Sequence, residues 1–85
     1  MKVVKISAIW CPACLIMNNR INKIKDKYNL DIIEYDYDID EEKVEEYIVG
    51  KTLPVMIFIK DHTEVKRLIG EISENKLEEE ISDLL

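Results

Sequence analysis

Two cysteines separated by two residues are the pair of side chains in this chain best suited to chemistry. Cys11 and Cys14 are its only cysteines, and they lie in the segment AIWCPACLIM, residues 8–17. A thiolate is both a nucleophile and a metal ligand, and two thiols this close can form and reopen an intramolecular disulfide. The spacing therefore predicts either thiol–disulfide exchange or metal binding.

The elements around the pair place Cys11 at the start of a helix. Residues 3–9 form a short, β-branched, mostly apolar run that predicts a buried strand. A helix from about residue 12 to residue 28 should follow, since apolar side chains recur at steps of three and four: Cys14, Met17, Ile21, Ile24 and Tyr28. Pro12 then takes the first helical position, where its missing N–H is not needed.

This placement gives the two thiols different roles. At a helix start, unpaired backbone N–H groups and the positive end of the helix dipole favour a thiolate at Cys11. Cys14 lies one turn later on the apolar face, so it should be less exposed. We expect Cys11 to be the attacking thiol and Cys14 the resolving thiol.

The rest of the chain alternates strand-like and helix-like segments. Residues 31–37 predict a strand with Ile33, Tyr35 and Tyr37 on one side, and residues 55–59 predict a central strand. Between them, Asp40 suits a helix N-cap and Gly50 a helix stop, and the apolar stripe of that helix is Val44, Tyr47 and Ile48.

The last third of the sequence predicts a hairpin and a final helix. Residues 60–63 suit a turn, and His62 is interpreted as a turn residue before a strand at residues 64–69. Ser73 caps a last helix with the stripe Leu77, Ile81 and Leu84. The order is βαβαββα. Helical crossovers predict that the first three strands are parallel, and the tight turn predicts that the fourth is antiparallel to the third.

Size and composition restrict the function classes. Eighty-five residues predict one domain, residues 1–85, and an apolar content of 47% predicts a folded chain. The net charge of −6 argues against nucleic acid and against an anionic membrane surface. We see no signal peptide and no membrane-spanning segment. We therefore expect a monomeric, cytoplasmic protein.

Other interpretations of the two cysteines stay open. A structural zinc site needs four ligands, and beyond the cysteines the chain offers only the distant His62, so no metal site is predicted within one chain. A dimer sharing one zinc ion could supply four thiolates. The pair could also be a structural disulfide, which the cytosol disfavours, or two inert buried thiols in a binding module.

The sequence as a whole resembles a small thioredoxin-like protein of the thioredoxin/glutaredoxin superfamily. The resemblance is carried by WCPAC, by TLPV at residues 52–55 and by IGEISENKLEEEI at residues 69–81. It implies the thioredoxin fold, an α/β fold with a four-stranded mixed sheet in the order 2-1-3-4 and three helices. In the superfamily a cis proline faces the cysteine pair, and Pro54 matches it. The preceding Leu53 would then offer its backbone to an extended substrate.

The chain combines features of the two branches. Trp10 and the ending LIGEIS are thioredoxin-like, whereas the Cys-Pro-x-Cys pair, the short length and GKTLP with its Lys51 resemble glutaredoxins. The glutaredoxin Gly-Gly pair is missing, because Gly70 is followed by Glu71, whose charge should repel a glutathione carboxylate.

The resemblance implies a thiol–disulfide oxidoreductase without a bound cofactor that reduces protein disulfides and is recycled by a thioredoxin-reductase-type donor. A glutathione-dependent glutaredoxin is the alternative enzyme. A zinc-linked dimer or a thiol-containing binding module is the alternative without catalysis. The implied substrate-contacting residues are Trp10, Pro12, Thr52, Leu53, Pro54 and Gly70.

One position departs from the thioredoxin pattern. Thioredoxins have a buried aspartate in the first core strand that helps deprotonate the resolving cysteine, and the matching residue here is Lys5. A buried lysine is costly unless it is paired or deprotonated. We expect Lys5 to reach outward into solvent. If it instead points at Cys14, it would favour the thiolate.

Overall fold

The computed structural model describes residues 1–85 and contains the seven predicted elements in the predicted order. They are β1 (Lys2–Ser7), α1 (Pro12–Ile24), β2 (Asp31–Asp36), α2 (Glu41–Glu46), β3 (Val55–Lys60), β4 (Thr63–Ile69) and α3 (Glu74–Leu84). The strands form one mixed sheet in the order β2-β1-β3-β4, as the resemblance implied.

The direction of β3 corrects the sequence prediction. Strands β1 and β2 are parallel, but β3 is antiparallel to β1, with Val4 opposite Ile57 and Ile6 opposite Val55. The parallel prediction assumes that α2 carries the chain back along the sheet, which its length does not allow. Six residues of helix span only about 9 Å, whereas a six-residue strand spans about 20 Å. The connection therefore does not return along the sheet, and β3 starts at the end where β1 and β2 finish.

Two helix ends also differ from the predictions. Helix α1 stops at Ile24 because residues 25–29 form turns, in which Asn29 has a φ of 55° and the Leu30 N–H donates to Lys25 O. Tyr28 still packs against the core. Helix α2 ends before Ile48, which has a φ of 54° and is 84% exposed, so Ile48 does not join an apolar stripe.

The start of α2 is only partly as predicted. Asp40 does precede the helix, but its side chain makes no capping hydrogen bond. Its carboxylate instead accepts from the N–H of Asp36 at 2.8 Å. The Asp36 carboxylate in turn accepts from the N–H groups of Asp38 and Ile39. These aspartates therefore fix the loop between β2 and α2.

The hairpin and the last helix confirm their predictions. Asp61 and His62 have φ values of 53° and 65°, as a tight two-residue turn between antiparallel strands requires. The Ser73 hydroxyl accepts from the N–H of Lys76 at 3.1 Å and caps α3. His62 is therefore a turn residue, at the end of the sheet away from Cys11.

Alternate residues of the central strands β1 and β3 fill two apolar clusters, one on each side of the sheet. The first cluster joins β1 and β3 to α1 and α3 and contains Val3, Met17, Ile21, Ile24, Met56, Phe58, Leu77 and Ile81. The second lies on the α2 side and contains Val4, Ile6, Ala8, Cys11, Cys14, Leu53, Val55 and Ile57. The cysteines are thus anchored at the edge of a packed core. None of the helices combines the length and apolar character needed to cross a bilayer.

Candidate redox site

Cys11 lies at the junction between β1 and α1, as predicted. It is the N-cap residue, with extended backbone angles and Pro12 directly after it in the first turn. Its Sγ accepts a hydrogen bond from the N–H of Cys14 at 3.2 Å. A sulfur in this position receives a backbone donor and the positive end of the helix dipole, and both stabilise negative charge there.

Cys14 is the more buried thiol of the pair. Its side chain is 1% exposed, against 6% for Cys11, and both cysteines are free thiols. Burial raises the pKa of Cys14 to about 12, and the hydrogen bond with Cys11 acts in the same direction. Cys14 therefore holds its proton at neutral pH, which fits a thiol that reacts second.

The segment before β3 forms the opposite wall of the site. The Leu53–Pro54 peptide bond is cis, and the carbonyl oxygen of Leu53 lies 3.8 Å from Cys11 Sγ. The carbonyl of Pro54 accepts from the N–H of Gly70 at 2.8 Å. Gly70 has a φ of +82°, a conformation that favours glycine, and a Cβ there would lie 3.5 Å from the methyl group of Thr52. The structure thus brings Thr52, Leu53, Pro54 and Gly70 together beside Cys11.

Trp10 forms an exposed apolar surface next to the pair. Its side chain is 58% exposed, and its Nε1 donates to Asp38 Oδ2 at 2.6 Å. Its ring meets the Tyr37 ring edge-on, with centroids 6.3 Å apart. Ile9, directly before Trp10, and Leu15, in the first turns of α1, are exposed as well. The indole is therefore held in place while most of its surface stays available for contact.

Lys5 corrects the sequence prediction. We expected it in solvent, but it is 4% exposed and lies inside the sheet. Its Nζ forms an ion pair with Glu34 Oε2 at 2.9 Å and donates to Asn18 Oδ1 at 2.6 Å. Strand β1 is central, so both of its faces are covered, and the position can hold a charge only because these two partners satisfy it.

Glu34 and Asp38 are site residues that the sequence reasoning missed. A signal for Glu34 was present in the sequence: VVKIS and IIEYD align without a gap when β1 and β2 are parallel, and the register places Lys5 opposite Glu34. Opposite charges at facing positions indicate such a pair.

Comparison with known proteins identifies the family. The thioredoxin family model matches residues 1–83. The chain belongs to the thioredoxin family. Proteins of this family carry out thiol–disulfide exchange. A comparison with curated proteins finds no significant match.

Solved thioredoxin structures share the fold over nearly the whole chain. The thioredoxin of Fasciola hepatica is 31% identical, with a TM-score of 0.85 over 96% of this chain and 78% of that chain. The thioredoxin NaTrxh of Nicotiana alata is 30% identical, with a TM-score of 0.85 over 96% of this chain and 70% of that chain. Thioredoxin-2, described as a component of the malaria parasite protein secretion machinery, is 27% identical, with a TM-score of 0.86 over 96% and 81%.

Lys51 and Glu71 both bear on whether glutathione can bind near Cys11, and their charges have opposite effects on an anionic ligand. Lys51 is exposed and makes no ion pair, so its charge is available to an anionic ligand. Glu71 lies 3.5 Å from the guanidinium of Arg20, which offsets part of its charge. The expected repulsion of glutathione by Glu71 is therefore weaker than the sequence indicated. No three His, Cys, Asp or Glu side chains are grouped in a way that could hold a metal ion.

Proposed function

We propose that this protein is a thiol–disulfide oxidoreductase that reduces disulfides in other proteins. The observation that carries the proposal is the asymmetry of the pair. Cys11 Sγ lies at a helix start, 3.2 Å from a backbone N–H, while Cys14 is buried behind it with a pKa raised to about 12. The position of Cys11 stabilises a thiolate, whereas Cys14 stays protonated until it attacks the mixed disulfide.

The reaction takes place in two exchanges. The Cys11 thiolate attacks one sulfur of the substrate disulfide, forms a mixed disulfide and releases the other sulfur as a thiolate, which takes a proton. Cys14 then loses its proton and attacks Cys11 Sγ, which releases the second substrate thiol. The substrate gains two electrons, and the protein is left with a Cys11–Cys14 disulfide. A thiol donor must then return two electrons.

The surroundings of Cys11 favour a protein substrate. Trp10 offers a large, fixed, mostly exposed ring beside the nucleophile, which suits contact with a folded or extended polypeptide. On the other side, the backbone of Leu53 can pair with an extended substrate segment as an added strand. Pro12, Thr52 and Gly70 lie at the rim of this surface, whereas the side chain of Pro54 is buried beneath it and supports the backbone of Leu53.

We also propose that a thioredoxin-reductase-type donor recycles the disulfide faster than glutathione does. Trp10 supplies docking area that a tripeptide hardly uses, and the second glycine of the glutaredoxin pair is replaced by Glu71. The competing candidate is a glutathione-dependent glutaredoxin, which the Cys-Pro-x-Cys pair and the unpaired Lys51 favour. We expect the reduction potential of the pair to fall at roughly −200 to −270 mV, between the glutaredoxin and thioredoxin ranges.

The test is turnover on one protein substrate, insulin, with each donor. One series contains thioredoxin reductase and its nicotinamide reductant, and the other contains glutathione and glutathione reductase. We expect the first series to be faster, and we expect Lys51→Glu to change it little. Lys2→Glu, at the far end of β1, is the charge-matched control. Faster turnover with glutathione, lost in Lys51→Glu and kept in Lys2→Glu, would show that the protein is a glutaredoxin.

A further inference from the structure

A small cavity lies beside Cys14, between the end of β1, the start of α1 and β2. Its volume is about 100 Å³, and its polar lining includes Ser7, Asn18, Glu34 and Asp36 next to Cys14. This space is several times what one water molecule requires, and its polar groups can satisfy the hydrogen bonds of a water. The cavity therefore connects the buried thiol with two carboxylates.

Of these two carboxylates, Glu34 is held in a fixed position at the cavity. Its Oε2 is paired with Lys5 Nζ at 2.9 Å, and its Oε1 accepts from Ser7 Oγ at 3.1 Å. Lys5 and Ser7 are both about 95% buried, and Lys5 is itself held by Asn18. The side chain of Glu34 is 52% exposed, so its carboxylate reaches both the cavity and solvent.

The proposed reaction needs a proton acceptor at this place. A thiol whose pKa is raised to about 12 is ionised in only about one molecule in 10⁵ at pH 7. Direct attack by such a scarce thiolate would be slow. If the proton is removed while the sulfur–sulfur bond forms, the reaction does not need a thiolate that is already present.

We propose that Glu34 accepts the Cys14 proton, through water in this cavity, as Cys14 attacks the mixed disulfide. This inference rests on the function proposed above. As the Cys14–Cys11 bond forms, the bond between Cys11 and the substrate sulfur breaks, and its electron pair leaves with the substrate thiolate. The Cys14 proton passes to the Glu34 carboxylate and from there to solvent or to the leaving thiolate.

Among the charged and titratable groups around the cavity, Glu34 suits this role best. Cys11 carries the sulfur under attack, and the ammonium of Lys5 can only donate. The Asp36 carboxylate already accepts from two N–H groups, those of Asp38 and Ile39, at 2.8 and 3.1 Å. Glu34 lines the cavity, reaches solvent and is the carboxylate whose charge acts on Cys14, where it helps to raise the pKa of the thiol.

The test is a single-turnover experiment that separates the two exchanges. Reduced protein is mixed with excess insulin, the reaction is quenched with acid at successive times, and the amount of mixed disulfide is measured at each time. In Glu34→Gln we expect the mixed disulfide to form at the wild-type rate, within about a factor of two, and to decay at least about tenfold more slowly. Glu34→Asp should recover part of the loss. Asp36→Asn, the matched control at the same cavity, should decay within about a factor of two of wild type.

The pH profile is the readout that a merely structural role would not change. Between pH 6 and pH 8 we expect the wild-type decay rate to change little, and the Glu34→Gln rate to rise about tenfold per pH unit as hydroxide replaces the lost base. If the mixed disulfide of Glu34→Gln decays at the wild-type rate and with the wild-type pH profile, Glu34 does not have this role. If the wild-type protein forms no mixed disulfide at all, the proposed function itself fails, and the two failures are thus distinguished.

Discussion

The burial of Cys14 predicts that the reduced protein loses stability as the solution becomes alkaline. In the folded protein the pKa of this thiol is raised from 9.0 to about 12, chiefly because burial disfavours the thiolate. Below pH 9 the thiol is protonated in both the folded and unfolded states, so it does not lower the stability of the folded protein. As the pH rises from 9 through 12 the unfolded state loses its proton first, and the stability is lost progressively.

The size of the effect follows from the difference between the two pKa values. A difference of three pH units corresponds to about 4 kcal/mol over the whole range. At pH 10 most unfolded thiols are ionised and few folded ones are, so about 1 kcal/mol should already be lost relative to pH 8. Other groups also titrate in this range, and a matched variant must subtract their contribution.

The matched variant is Cys14→Ser, whose hydroxyl does not ionise in this range. The free energy of unfolding of both reduced proteins is measured in urea at pH 8, 9 and 10. We expect the advantage of wild type over Cys14→Ser to shrink by about 1 kcal/mol between pH 8 and pH 10. Parallel curves for the two proteins would refute the argument that burial holds the proton on Cys14.

Three further predictions concern the surface and the frame of the site. Trp10→Ala should lower kcat/KM for insulin by roughly tenfold and leave the reduction of a small aromatic disulfide nearly unchanged; equal losses on both substrates would contradict its docking role. Gly70→Ala should cost about 1 kcal/mol in urea unfolding, because the residue has a φ of +82°, and a neutral result would contradict that strain. Ser73→Ala should also cost about 1 kcal/mol through the lost N-cap of α3, and unchanged stability would show that the cap is not needed.

Features set by a few neighbouring residues were predictable from the sequence. The position of Cys11 follows from an apolar strand that ends just before a proline, and the burial of Cys14 follows from helical spacing. The turn at Asp61 and His62 and the cap at Ser73 are likewise local. In each case the physical cause lies within about four residues of the feature.

Features set by contacts distant in the sequence were not predictable in the same way. The pattern of Val44, Tyr47 and Ile48 predicts a short helix, and the parallel prediction treats that helix as a crossover although it is too short to return along the sheet. The antiparallel direction of β3 follows from pairing with β1. The burial of Lys5 depends on Glu34, which is 29 positions away in the sequence and becomes its neighbour only through the β1–β2 register. A single strand pattern does not contain that information.

Cys11 and Cys14 have different roles in the proposed reaction, and trapping of a mixed disulfide tests this division most directly. Cys14→Ser and Cys11→Ser, each shown to be folded by circular dichroism, are incubated with a disulfide-containing protein and analysed by non-reducing electrophoresis and mass spectrometry. We expect Cys14→Ser to accumulate a mixed disulfide through Cys11, because no resolving thiol remains, and Cys11→Ser to accumulate none. Equal trapping by both variants, or trapping by Cys11→Ser alone, would contradict the assignment.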